Sequence, residues 1–324
     1  MRTFIALLTF LATLVSPYAY AKPPNVLVSI APLHSIVSAV TEGVFTPSLL
    51  IPAGQSPHHL SLAPSDAQRL HKADFILWVG PSLENYLVRP LDNLSRAPVV
   101  LALEHVASLT ILPQRETIEW PEHTHSHDEH SDHAHLHEHD IDLLTSDPHL
   151  WLSPKNAAQI AQVVSEHLVL LDPENSLRYL KNTQDFQARL KQVDTNISNV
   201  LSDIKTMPYM VFHDGYQYFE QYYGLNSVGA MHLHPDSSLS VKRAHQIRDI
   251  IQGRAAVCIF KEPQFPDAMI TNLLDGVAIK VGVLDPLGAN IEPGPSGYFS
   301  LLEQLSTNLN ACLNDPTSQE DRSE

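Results

Sequence analysis

Cysteine is almost missing from this chain, with two residues, Cys258 and Cys312, among 324. Neither has a second Cys or His pair at finger-like spacing beside it, which weighs against a metal site built on the two thiols. In an oxidising compartment the pair reads instead as a disulfide. It would close a loop of about fifty residues, worth on the order of 4 kcal/mol in loop-closure entropy. Long apolar runs are missing as well: beyond residue 21 no stretch is long enough to cross a bilayer as a helix. Basic residues are scarce, 20 Lys and Arg against 36 Asp and Glu. The formal charge of -16 repels nucleic acid and anionic lipid and favours cations. No HExxH helix signature occurs, so metal-assisted hydrolysis lacks its commonest scaffold.

What is present begins with an address. Arg2 gives a basic start, residues 4–15 an apolar stretch too short for a mature membrane helix, and Ala19-Tyr20-Ala21 a small-x-small cleavage site. Cleavage after Ala21 and an exported mature chain are expected. No Cys lies near the cut, so a lipid-attached form has no attachment point.

Along the mature chain, continuous apolar strands alternate with helices. Residues 25–30, 75–79 and 99–103 read as strands, with helices over about 32–41 and from a cap near Ser65 and Asp66. Residues 121–142 break the pattern: they are polar, nearly free of aliphatics, and predicted to form a mobile loop. Ser153 then caps a helix with Pro154 at its first position. A longer helix starts at Asp172-Pro173-Glu174. Leu177, Leu180, Phe186, Leu190, Val193, Ile197, Val200 and Ile204 recur at mostly three- and four-residue steps, and no Gly or Pro interrupts before Pro208. Such a helix would be a rod of roughly 45–50 Å at 1.5 Å per residue. Strands at 209–212, 256–260 and 278–284 and a helix at 217–223 restart the alternation.

The fold class is therefore α/β: two Rossmann-like lobes with parallel sheets, joined by one long rigid backbone helix. The expected division is a leader over 1–21, a first lobe over 22–172, the linking helix over 173–205 and a second lobe over 206–324.

Nineteen histidines are the conspicuous excess. Eight of them fall between His123 and His139, mixed with Asp and Glu, as a metal trap of high local concentration. Near neutral pH most imidazoles are unprotonated and free to bind metal. Outside that stretch, His58 lies in a loop after a strand ending near Ile51, His149 in Asp147-Pro-His-Leu-Trp151, and His213 directly after the strand 209–212. Asp285 follows the last strand, in Leu284-Asp-Pro-Leu-Gly288. Ligand sites in open α/β sheets form beyond the carboxyl ends of the strands. His58 and His149 come from the first lobe, His213 and Asp285 from the second, so a shared metal would sit in the cleft. Neutral imidazole suits Zn²⁺, usually four-coordinate. His34, His105 and His167 read as structural. His59, next to His58, could compete as a ligand, and His232 and His234 are open between structural and supporting roles.

Seven segments stand in an order that resembles a known family: Ala53-Gly-Gln-Ser-Pro-His-His59, Pro64-Ser-Asp66, Trp78-Val-Gly-Pro81, Asp147-Pro-His-Leu-Trp-Leu-Ser-Pro154, Phe212-His-Asp-Gly-Tyr-Gln-Tyr-Phe219, Phe260-Lys-Glu-Pro-Gln-Phe265 and Leu284-Asp-Pro-Leu-Gly288. They are similar to the periplasmic zinc-binding proteins in the metal-binding class of ABC-importer solute-binding proteins. The resemblance covers essentially the whole mature chain. It implies that His58, His149 and His213 bind metal. It also implies a disulfide between the two cysteines, and delivery of the ion to an inner-membrane permease driven by a cytoplasmic ATPase. The fourth ligand varies in the family. Some relatives carry Glu directly before the first histidine, where this chain has Pro57. Asp285 matches a carboxylate ligand of manganese-type relatives, so Asp285, His59 or a water is expected to fill the place. A non-enzymatic, monomeric periplasmic zinc carrier is the reading; a manganese- or iron-binding member of the same class is the alternative.

Overall fold

The computed structural model describes residues 22–120, 146–233, 240–274 and 276–314. The leader, the histidine-rich stretch 123–139 and His234 lie outside the described residues. The first lobe runs β1 (Val26–Val28), α1 (Ala31–Val40), β2 (Ser48–Leu49), α2 (Pro64–Lys72), β3 (Phe75–Trp78), α3 (Pro81–Asp92) and β4 (Val99–Ala102). After the stretch outside the description come α4 (Pro154–Leu171) and α5 (Ser176–Leu201). The second lobe runs β5 (Tyr209–His213), α6 (Gln217–Tyr223), β6 (Ser227–His232), α7 (Val241–Gly253), β7 (Cys258–Lys261), α8 (Ala268–Leu273), β8 (Lys280–Val283) and α9 (Gly297–Leu313).

Both sheets are parallel and wound alike, β2-β1-β3-β4 and β6-β5-β7-β8. The apolar runs explain this: β1, β3 and β5 are buried at every position, as strands covered on both faces must be. Two expected helix starts can be compared with the structure. Ser153 Oγ accepts from Asn156 N at 3.2 Å, with Pro154 at the first position, as expected. In α2 the cap is displaced: the helix begins at Pro64, and the Asp66 carboxylate reaches back to accept from Ala63 N at 3.0 Å.

The linking helix is long but shorter than its apolar pattern suggests. Pro173–Asn175 form a separate 3₁₀ turn, leaving 26 residues in α5, a rod of about 39 Å. Its buried stripe is Tyr179, Thr183, Phe186, Leu190, Val193, Ile197 and Leu201. Leu177, Leu180 and Val200, expected on that stripe, are exposed. The stripe runs through a core that is continuous across both lobes and includes α1, α4 and α9. Cys258 and Cys312 form the disulfide, tying α9 to β7.

A second tie between the lobes was not visible in the sequence. Residues 113–120 leave the first lobe and lie against the second. Ala230 N donates to Ile118 O at 2.9 Å and Trp120 N to Val228 O at 3.1 Å, an antiparallel pairing centred on Glu119 and Gly229. Any Cβ at Gly229 would stand 2.2 Å from Ile118 O, so this strap requires glycine there. Arg115 anchors it, donating to Asp214 Oδ1 at 2.8 Å and Glu220 Oε2 at 2.9 Å.

Candidate metal centre

The centre is assembled at the carboxyl ends of the strands, where the two lobes face each other. His213 is the last residue of β5, and Glu262 immediately follows β7, the neighbouring strand. Between β5 and β7 the winding of the sheet reverses, the place where α/β sheets open a crevice. His149 precedes a 3₁₀ turn, Leu150–Leu152. That turn is fixed across the cleft, because Trp151 Nε1 donates to Pro286 O at 2.8 Å and Tyr298 OH to Trp151 O at 2.7 Å. His58 comes from the loop between β2 and α2.

These elements bring His58, His149 and His213 together, each offering one nitrogen within 4.8 Å of the others. Two of the rings are oriented by carboxylates. His149 Nδ1 faces Asp147 Oδ1 at 2.8 Å, and His213 Nδ1 faces Glu262 Oε1 at 2.5 Å. When both rings are neutral and each Nδ1 proton is given to a carboxylate, both Nε2 atoms carry lone pairs, and the two atoms face each other across 3.1 Å. Two acceptors that close repel unless a cation lies between them. Tetrahedral zinc bonds at 2.0–2.1 Å place nitrogens about 3.3 Å apart. The donor set and its spacing therefore fit zinc, and the carboxylate–histidine pairs are the arrangement that orients metal-binding imidazoles.

The electrostatics divide the two rings. Burial, then the neighbouring His213, lowers the His149 pKa well below its ordinary value and keeps it neutral. Burial acts in the same direction on His213, but the carboxylates of Glu262, Asp214 and Asp147 together outweigh it and the pKa rises. Burial pushes Asp147 up to about 7, against the opposing pull of the His149 amide and Arg115.

Asp285, expected as a fourth ligand, is not part of this group. Its Oδ1 accepts from Leu287 N and Gly288 N, both at 3.0 Å, and from Gln264 Nε2 at 2.7 Å; its Oδ2 accepts from Ala289 N at 2.6 Å. His59 also stands outside the group. His34 is buried on α1, with Nε2 3.0 Å from Pro47 O, and His167 stacks on Phe75. His232 ends β6 beside His213 and packs its ring at a tilt against Phe212. Glu262 and Asp147 were legible only as parts of motifs. A polar residue directly after a buried strand was the signal for Glu262, whose Oε1 lies against His213 Nδ1.

A family model described as zinc-uptake complex component A, periplasmic, matches residues 26–312. A high-affinity zinc uptake system protein ZnuA of Brucella abortus (strain 2308) is 37% identical over 320 residues, covering 94% of this chain and 96% of its own. The protein of the same description from Yersinia pestis is 35% identical over 308 residues, covering 93% and 96%. Among solved structures, the periplasmic zinc-binding protein TroA from Treponema pallidum shares the fold, with a TM-score of 0.72 at 18% identity, covering 90% of this chain and 99% of that one. With the family model spanning both lobes and relatives this similar over nearly their full length, the chain belongs to the ZnuA family of periplasmic zinc-uptake components.

Proposed function

We infer that this protein captures one Zn²⁺ through His58, His149 and His213 in the interlobe cleft and hands it to a membrane permease powered by an ATPase. It is the solute-binding component of a zinc importer and not an enzyme. It is exported after cleavage behind Ala21, acts as a monomer, and has no dealings with nucleic acid. The division into lobes at 172 and 206 gives each lobe one wall of the site. The facing Nε2 atoms of His149 and His213, each ring held from behind by a carboxylate, carry this reading. Manganese prefers more oxygen than three imidazoles supply, and the Asp285 oxygens are already engaged. Isothermal titration of zinc into His58→Ala and His149→Ala tests the assignment. Each variant is expected to lose the tight site; tight binding preserved in both would overturn it.

A further inference from the structure

Gln264 lies in the Phe260–Phe265 motif, of which the three-histidine site uses only Glu262. Its carboxamide is held from one side. Nε2 donates to Asp285 Oδ1 at 2.7 Å, which fixes the orientation, since the swapped amide would press Oε1 against a carboxylate oxygen. Oε1 is buried and has no hydrogen-bond partner among the described residues. Leaving such an oxygen unmatched is costly, so native structures provide a partner. Gln264 lines the same cavity as His58, His149 and His213; Asp285 does not.

The size of the cavity says what that partner is. The cavity these residues share is only about 10 Å³, so beside a bound ion it has room for no more than a single water. Zinc held by three protein ligands takes a water in the fourth place.

The geometry points to Gln264 as the residue that holds this water, with Oε1 accepting from it while Nε2 keeps Asp285 off the metal. The inference rests on the three-histidine site and names its fourth position. A carboxamide accepts a hydrogen bond but takes no proton, so Gln264 offers the water no general base, as suits a carrier. The protein's ligands stay neutral and nitrogen-rich, which favours zinc over manganese.

Three measurements on the full mature chain test this: zinc affinity by competition with a chromogenic chelator, the visible spectrum of the Co²⁺-loaded protein, and the melting temperature without metal. Gln264→Ala is expected to weaken zinc binding about 10- to 100-fold, the usual effect of removing a residue that supports a ligand, and to shift the Co²⁺ bands. Asp285→Asn is expected to lower the melting temperature, because Oδ2 no longer accepts from Ala289 N, while zinc affinity holds. Unchanged Co²⁺ bands in Gln264→Ala, or a zinc loss in Asp285→Asn as large as that in Gln264→Ala, would overturn the inference alone. Tight zinc binding in His149→Ala would overturn the site itself and the inference with it.

Discussion

Replacing Arg115 with Met is a severe test of how the strap is fastened. The guanidinium satisfies two carboxylates, Asp214 and Glu220, whose side chains are each only 2% exposed, and it lies 3.6 Å over the Trp120 ring. Removing one partner of a buried ion pair leaves uncompensated charge and costs about 3–5 kcal/mol. For a chain of this size that is a fall of about 10 °C in melting temperature. The loss must depend on pH. Burial already lifts Asp214 to about 7, and Arg115 is the leading influence pulling it back. Without Arg115 the Asp214 carboxylate rises further, and the folded state holds a proton that the unfolded chain has released. A carboxylate raised on folding stabilises least at high pH. The deficit of Arg115→Met is therefore expected to be largest near pH 8.5 and to shrink towards pH 5.5 in urea titrations of the zinc-free protein. The double variant Arg115→Met/Glu220→Gln should recover part of it. A deficit below about 1 kcal/mol, the scale of an exposed pair, or one equal at both pH values, would refute the reasoning.

Zinc affinity should fall with acidification. The raised pKa of His213 gives the empty site a proton that zinc must displace, so between pH 6.5 and 5.5 competition titrations should show about tenfold weaker binding for one displaced proton; a pH-independent affinity would contradict this. Glu84 is buried, accepts from Val79 N and Gly80 N, and is pushed up to about 7 by burial. Its folded pKa exceeds its unfolded one, so its contribution is greatest in acid and is lost as pH rises through about 7. Glu84→Gln should accordingly gain on the parent by up to about 3 kcal/mol between pH 5 and 9 in urea melts, and a constant difference would count against the burial argument. The disulfide spans 54 residues, so Cys258→Ala/Cys312→Ala should cost about 4 kcal/mol; no change in melting temperature would show that α9 is held without it.

Much of the fold was legible because the central strands carry unbroken apolar runs, as in Phe75–Trp78 and Tyr209–His213. β6 was not, because Ser227 and Gly229 weaken its pattern, and that glycine answers to Ile118, a residue far away in sequence. The pattern in α5 gave its length only approximately. Leu177 and Leu180 have the right spacing, but burial is decided by the neighbours α1, α4 and α9, and these leave both leucines exposed. At the site, placement after strand ends made His58, His213 and Asp285 candidates, and the resemblance of the ordered motifs singled out His58, His149 and His213. Asp285 shared that setting and the right chemistry. What removed it from the group was a set of backbone amides from Leu287 to Ala289 and one side chain, Gln264, and no sequence pattern records where amides converge.

The strap also sets a schedule for the growing chain. Ile118 and Trp120 are synthesised long before Val228 and Ala230, the residues they pair with. Contacts this distant in sequence close late, because the loop entropy must be met first. Until β5 and α6 exist, Arg115 has neither of its carboxylates. Two separately expressed halves, divided between α5 and β5, would leave the strap on one fragment and its sheet on the other. The halves should therefore form a sound cleft only when mixed, behaving as complementary fragments of a single folding unit.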